Sequence, residues 1–201
     1  MSSIALGYRP LLVVAVAASI VACAPAYRTG LLRKDVLADS QQVIADTKIN
    51  HGDMTISGSV DRADTTYDPG QPITLSVQTS KDAYVAILRV LPNGDTAIIL
   101  PNRAHSSAAI AANTALTVPA PGEAVKIAVD KPGIVLFEFI ASTASGSWLF
   151  KRPPDNDSDF ADLGGTTRTI AKDLVSTLKP GPGHDTAATY LTVRITGRSI
   201  F

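Results

Sequence analysis

A single cysteine, Cys23, in 201 residues excludes an internal disulfide. Tryptophan occurs once, methionine twice and phenylalanine five times. With alanine, threonine and valine abundant instead, the composition suits many short strands around a modest core. Charge of one sign is missing too, because 18 Lys and Arg balance 18 Asp and Glu without a basic block. That excludes a phosphate-backbone footprint, and nucleic acid with it. No His-Glu-x-x-His, Gly-x-Ser-x-Gly elbow or glycine-rich phosphate loop with a following lysine occurs. His51, His105 and His184 lie far apart in the chain and read as surface residues. The sequence therefore points to a protein that is not an enzyme and that holds no cofactor and no metal.

Arg9 precedes an apolar run, Leu11 to Val21, that ends at Ala22 and Cys23. A basic residue, a short apolar run and a small residue at the cut are the layout of a secretory signal peptide. The run falls short of the ~20 apolar residues a membrane span needs. Ile20-Val21-Ala22-Cys23 resembles the lipobox of bacterial lipoproteins, which implies lipidation at Cys23 and accounts for an exported protein with one thiol. By analogy with Gram-negative sorting, Ala24 after the cysteine, in place of aspartate, implies the outer membrane, facing the periplasm. Residues 1–22 are then the signal peptide and 23–53 a lipidated tether. Leu32, Val36, Val43 and Ile44 allow an amphipathic helix within that tether, though it reads better as a spacer.

The globular domain is expected over 54–201. Its strongest feature is Ala83 to Asn102, two β-branched apolar runs around Pro92-Asn93-Gly94-Asp95, which predicts a hairpin with a type I′ turn at Asn-Gly. Strands are also predicted over Thr55 to Val60, Ile73 to Val77, Leu116 to Val118, Val125 to Val129, Ile134 to Ala141, Ser147 to Phe150 and Thr186 to Ile195. Pro and Gly punctuate them, as in Asp68-Pro69-Gly70 and Asp130-Lys131-Pro132-Gly133. Glu138, inside an apolar strand, must face solvent or find a partner. Thr166 to Leu178 predicts a helix with Ile170, Leu174 and Leu178 on one face, stopped by Pro180-Gly181-Pro182-Gly183. The expected fold is mainly β, a β-sandwich of about seven or eight short strands with one C-terminal helix packed on it.

Tyr67-Asp68-Pro69-Gly70, Tyr84, Asn93-Gly94, Leu100-Pro101-Asn102 and Leu116 to Pro119, in that order, resemble the bacterial envelope module known as domain of unknown function 4384. The resemblance covers about Tyr67 to Ala141 and implies an accessory or interaction role, with no catalytic residues to carry across. The expected role is an outer-membrane-anchored lipoprotein, membrane-bound through lipid on Cys23, whose domain contacts an envelope protein of a secretion or envelope assembly. Strand edges and the Ala104 to Ala115 insertion are candidate contact surfaces. The alternative is a small-ligand or cell-wall-glycan-binding lipoprotein, with Tyr84, Trp148 and Tyr190 lining a groove. Asp155 to Asp162 starts like a calcium loop, but Phe160 replaces the required glycine and Thr166 the bidentate glutamate, so it reads as a solvated acidic loop.

Overall fold

A computed structural model describes residues 37–156, 158–179 and 181–197. The expected signal peptide, Cys23 and the first part of the expected tether lie outside the described residues. Strands β1 (Ile56–Val60), β3 (Leu75–Thr79) and β7 (Leu116–Val118) form a three-stranded antiparallel sheet in the order β1-β3-β7. The remaining strands are β2 (Thr66–Tyr67), β4 (Ala83–Val90), β5 (Thr96–Leu100), β6 (Ala109–Ile110), β8 (Gly133–Ser142), β9 (Ala161–Leu163) and β10 (Thr186–Ile195). They form a seven-stranded sheet in the order β2-β10-β8-β4-β5-β9, with β6 also paired to β4. Among the described residues only β2 and β10 run parallel. Helices α1 (Asp39–Ala45) and α2 (Thr167–Thr177) pack on each other and on the larger sheet.

The larger sheet is covered on both faces. Val85, Ile87, Val135, Phe137, Phe139 and Val193 turn one way, onto Leu75, Val77 and Val118 of the small sheet. Ala86, Leu88, Val90, Leu136 and Ile140 turn the other way, onto Ile44, Ile170 and Leu174 of the helices. Side chains alternate across a strand, so a strand buried on both faces must be apolar at nearly every position. That is why β5 reads Thr-Ala-Ile-Ile-Leu with every residue buried, and why β8 is the longest apolar stretch of the domain.

The mainly β sandwich with α2 packed on it is as expected, with ten strands among the described residues where about seven or eight were expected. The additional ones, β2, β6 and β9, have two or three residues, too few for alternation to register. Val125, Ile127 and Val129 are buried alternately outside any strand, and the segment is bonded to the neighbouring chain by Ile73 N–H to Ile127 O (2.9 Å) and Gly70 N–H to Val129 O (2.9 Å). Residues 148–150 form a 3₁₀ turn where a strand was expected, its start capped by Ser147 Oγ accepting from Leu149 N–H.

The hairpin is present with a different turn. Gly94 N–H donates to Leu91 O and Leu91 N–H to Asp95 O, both at 2.9 Å. Gly94 has φ +93°, whereas Asn93 is not among the positive-φ residues. The loop is therefore the three-residue kind, a type I turn with Pro92 second and Gly94 closing it. Proline's fixed φ suits that second position and selects this turn over type I′.

The expected boundary at Met54 is not where packing begins. Ile44 and Ile49 are fully or nearly fully buried, and the buried Gln41 donates from Nε2 to Val90 O (2.9 Å) and Ile134 O (2.8 Å). His51 N–H donates to Thr186 O (2.8 Å) and Thr186 N–H returns to His51 O (2.9 Å). The stretch from α1 to Asp53 is thus part of the domain. A helix of two turns shows too little periodicity in sequence to announce itself as core.

Candidate functional site

Tyr84, Trp148 and Tyr190 all lie on the helix-covered face of the large sheet, but they do not line one groove. Tyr84, at the start of β4, packs against Phe150 with ring centroids 6.2 Å apart. Tyr190 is in mid-strand on β10, opposite Glu138. Trp148 is held by its indole N–H donating to Thr177 Oγ1 of α2 (3.1 Å). It lines a cleft of about 180 Å3 with Arg152, Leu163, Gly164, Ile170 and Asp173, and neither tyrosine is in its walls.

Glu138 meets neither of the outcomes expected for it. It is 3% exposed, flanked by Leu88 and Tyr190 on the adjoining strands, and its Oε2 has no hydrogen-bond partner among the described residues. Burial pushes its carboxyl well above the usual carboxylate range, because the ionised form would lose its hydration without a partner.

The acidic loop after Pro154 is closed around an arginine. Arg103 Nη2 donates to the carbonyls of Asn156 (3.0 Å) and Ser158 (2.8 Å), and its Nε lies 3.6 Å from Asp159. Asp155 is turned inward, accepting from Asp162 N–H (2.9 Å). The loop is therefore organised by Arg103, from a turn some 50 residues earlier, and is not simply solvated. Among the described residues no group of three or more His, Cys, Asp or Glu is placed to hold a metal.

The histidines are likewise engaged locally. His105 is half-buried, with Nδ1 3.1 Å from Glu123 Oε1, while Glu123 Oε2 accepts from Ala120 N–H (2.9 Å). His184 borders a cleft of about 220 Å3 with Ser142, Ser147, Thr177, Lys179 and Thr186. The hydroxyls there are already occupied: Ser147 by Leu149 N–H, Thr177 by Trp148, Thr186 by Ile49 O. Lys81 bridges Asp53 and Asp185, which raises the lysine pKa through the carboxylate beside it and lowers that of Asp53. The longer-range bonds among these, Trp148 to Thr177, Thr186 to Ile49 and Lys81 to Asp53 and Asp185, join segments 28 or more residues apart and are not legible in sequence.

Two surfaces bear on contact with a partner. The first is the outer edge of β1. Asp61 N–H donates to Thr74 O and Ser80 N–H to Thr55 O, both at 3.0 Å, which fixes the ladder phase along the register Ser57↔Gln78 and Ser59↔Ser76. The backbone groups of Ile56, Gly58 and Val60 therefore point away from β3, and no further strand lies beyond β1 among the described residues. Gly58 is required by the layer beneath: a Cβ there would sit 2.5 Å from the Phe139 ring. The Ala104 to Ala115 insertion, the other expected contact surface, is pinned at both ends. Asn102 Oδ1 accepts from Ala104 and His105 N–H, and Asn113 N–H donates to Thr79 O.

The second surface is a groove between the end of α1 and α2, about 530 Å3, lined by Lys48, Arg168, Lys172, Lys179 and the exposed Val175. Arg168 and Lys172 are exposed, off the buried stripe of α2. Their junction with Lys48 needed α1 to be in place.

No curated protein and no solved structure matches the chain. Residues 66–145, from β2 through β8, match the family model described as Domain of unknown function (DUF4384).

Proposed function

We propose that the chain is an outer-membrane-anchored periplasmic lipoprotein, lipidated at Cys23, whose β-sandwich is a non-catalytic interaction module of an envelope or secretion assembly. The observation that carries this reading is the open edge of β1. Three outward-facing backbone positions on a five-residue strand offer an extended partner segment a ladder to extend, with main-chain bonds supplying affinity. Lipid on Cys23 would confine that edge to a surface and raise its effective concentration for a partner there. The bonding of the clustered polar groups supports the same reading, because Ser147, Thr177, Thr186 and Lys81 are already engaged with backbone or with other side chains.

The test is in-cell crosslinking from a photoreactive side chain at Ser59, an exposed position on β1, in native protein and in Cys23→Ser, with membranes fractionated. A defined envelope protein captured in the outer-membrane fraction, and lost with Cys23→Ser, is the expected result. A mutant that stays membrane-bound, or a native protein that captures nothing, would sink the proposal.

The glycan-binding alternative retains one supporting observation, the Trp148 cleft with Arg152 and Asp173 beside the indole. Saturable binding of cell-wall fragments abolished by Trp148→Ala would establish it in place of the interaction module.

A further inference from the structure

α2 has two stripes. Ile170, Leu174 and Leu178 are buried against the sheet. Arg168, Lys172, Val175 and Lys179 follow one another at steps of four, three and four residues, so they share a second, outward stripe that runs just past the helix end. Lys48, following α1, joins them across the groove, and Ala171 lines it between the cations. Four cations face one carboxylate, Asp46, which accepts from Gln42 Nε2 at 2.8 Å. The ion pairs of the described residues involve none of the four cations. Val175, 47% exposed, is the one large hydrophobic residue exposed among the described residues, and it sits in the middle of this group.

We infer that this groove is the face on which the protein rests against an anionic phospholipid surface, with the four cations at headgroup phosphates and Val175 in the interfacial layer. The inference rests on the lipoprotein reading and adds an orientation to it. Two observations favour a bilayer over an acidic protein. One is chemistry: long flexible cations around a lone apolar tip, in an open groove, match an interfacial helix better than a shaped protein pocket. The other is connectivity. The chain reaches α1 only 16 residues after Cys23, a span of about 55 Å at full stretch. α1 packs on α2, so a lipid at Cys23 holds the cationic face within reach of the surface it is anchored in.

The test uses the full chain, processed in bacteria and reconstituted into vesicles. Cys23 is the only cysteine, so Val175→Cys and Ser59→Cys each introduce one free thiol for an environment-sensitive fluorophore. On phosphatidylglycerol vesicles the label at 175 should brighten about twofold or more relative to phosphatidylcholine vesicles, and should be quenched by a lipid-borne quencher. The label at 59 should behave as in water on both. Combining Val175→Cys with Arg168→Glu and Lys172→Glu, both exposed positions, should return the emission to its phosphatidylcholine level. A label at 175 that stays as wet as the one at 59, or that ignores lipid charge, overturns the inference while leaving the anchor intact. Wild-type protein that takes up the fluorophore shows an unmodified Cys23 and overturns the lipoprotein reading itself.

Discussion

The two faces of the seven-stranded sheet are built differently. Toward the small sheet, the interior is aliphatic with Tyr67, Phe137 and Phe139 as its large members. The polar atom of Tyr67 escapes to the rim, where its hydroxyl donates to Asp61 at 2.7 Å and its ring is covered by Arg62, 5.1 Å away. Toward the helices, polar groups lie within the interior itself: Gln41 bonded to two strand carbonyls, Glu138 opposite Tyr190, and Trp148 tied to Thr177. One face depends on fit, the other on satisfying particular atoms. Substitutions should separate the two kinds of interior.

The largest effect is expected at Phe139, fully buried and pressed against Gly58. Phe139→Ala should lower stability by about 3–5 kcal/mol in urea unfolding. On the other face, Leu174→Ala, which removes a 1% exposed side chain from the helix seam, should cost about 2–4 kcal/mol. A loss at Leu174 equal to that at Phe139 would mean the helices are as integral to the sheet as the small sheet is.

Glu138 sharpens the contrast through pH. Its folded pKa is raised by burial above the ordinary 4.5, so the unfolded chain releases this proton at lower pH than the folded protein does. The stabilising contribution is complete below about pH 4.5 and declines as pH rises toward the folded pKa. Glu138→Leu should therefore stabilise the protein at pH 7 by about 1–3 kcal/mol and flatten that decline in Tm, whereas an unchanged pH profile would refute the assignment.

Gln41→Ala, which leaves the carbonyls of Val90 and Ile134 without their side-chain donor, should cost about 1–2 kcal/mol. The smallest effect is expected at Arg103. Arg103→Ala removes bonds to exposed carbonyls and should leave the thermal midpoint nearly unchanged while speeding amide exchange in the 155–162 loop.

The same contrast explains what could be read in advance. Period-two and period-3.6 patterns report burial, so β3, β4, β5, β8, β10 and α2 were visible wherever an element was long enough to show its period. β2, β6 and β9 were too short, and α1 fell in a stretch that allowed an amphipathic helix but read better as a spacer. Glu138 was marked as a problem by its apolar neighbours, but its resolution depended on the helix layer that closes over it. The candidate site was less legible than the fold. Tyr84, Trp148 and Tyr190, expected to line one groove, have separate neighbours in Phe150, Thr177 and the strand opposite, relations that sequence spacing does not encode. The open edge of β1 depends on strand order, and the cationic groove on the meeting of two helices distant in sequence.

The place of β10 has a practical consequence. The family match ends at residue 145, yet β10, some forty residues later, lies between β2 and β8, both of which fall inside the match. A fragment cut at that limit loses the strand that joins β2 to the rest of the sheet. β2 is left with no neighbour, and β8 presents ten residues of unpaired, apolar backbone to solvent. Such a fragment is expected to aggregate through that edge. The unit that similarity delineates is therefore smaller than the unit that can fold, and recombinant work on this module should keep the chain through Ile195.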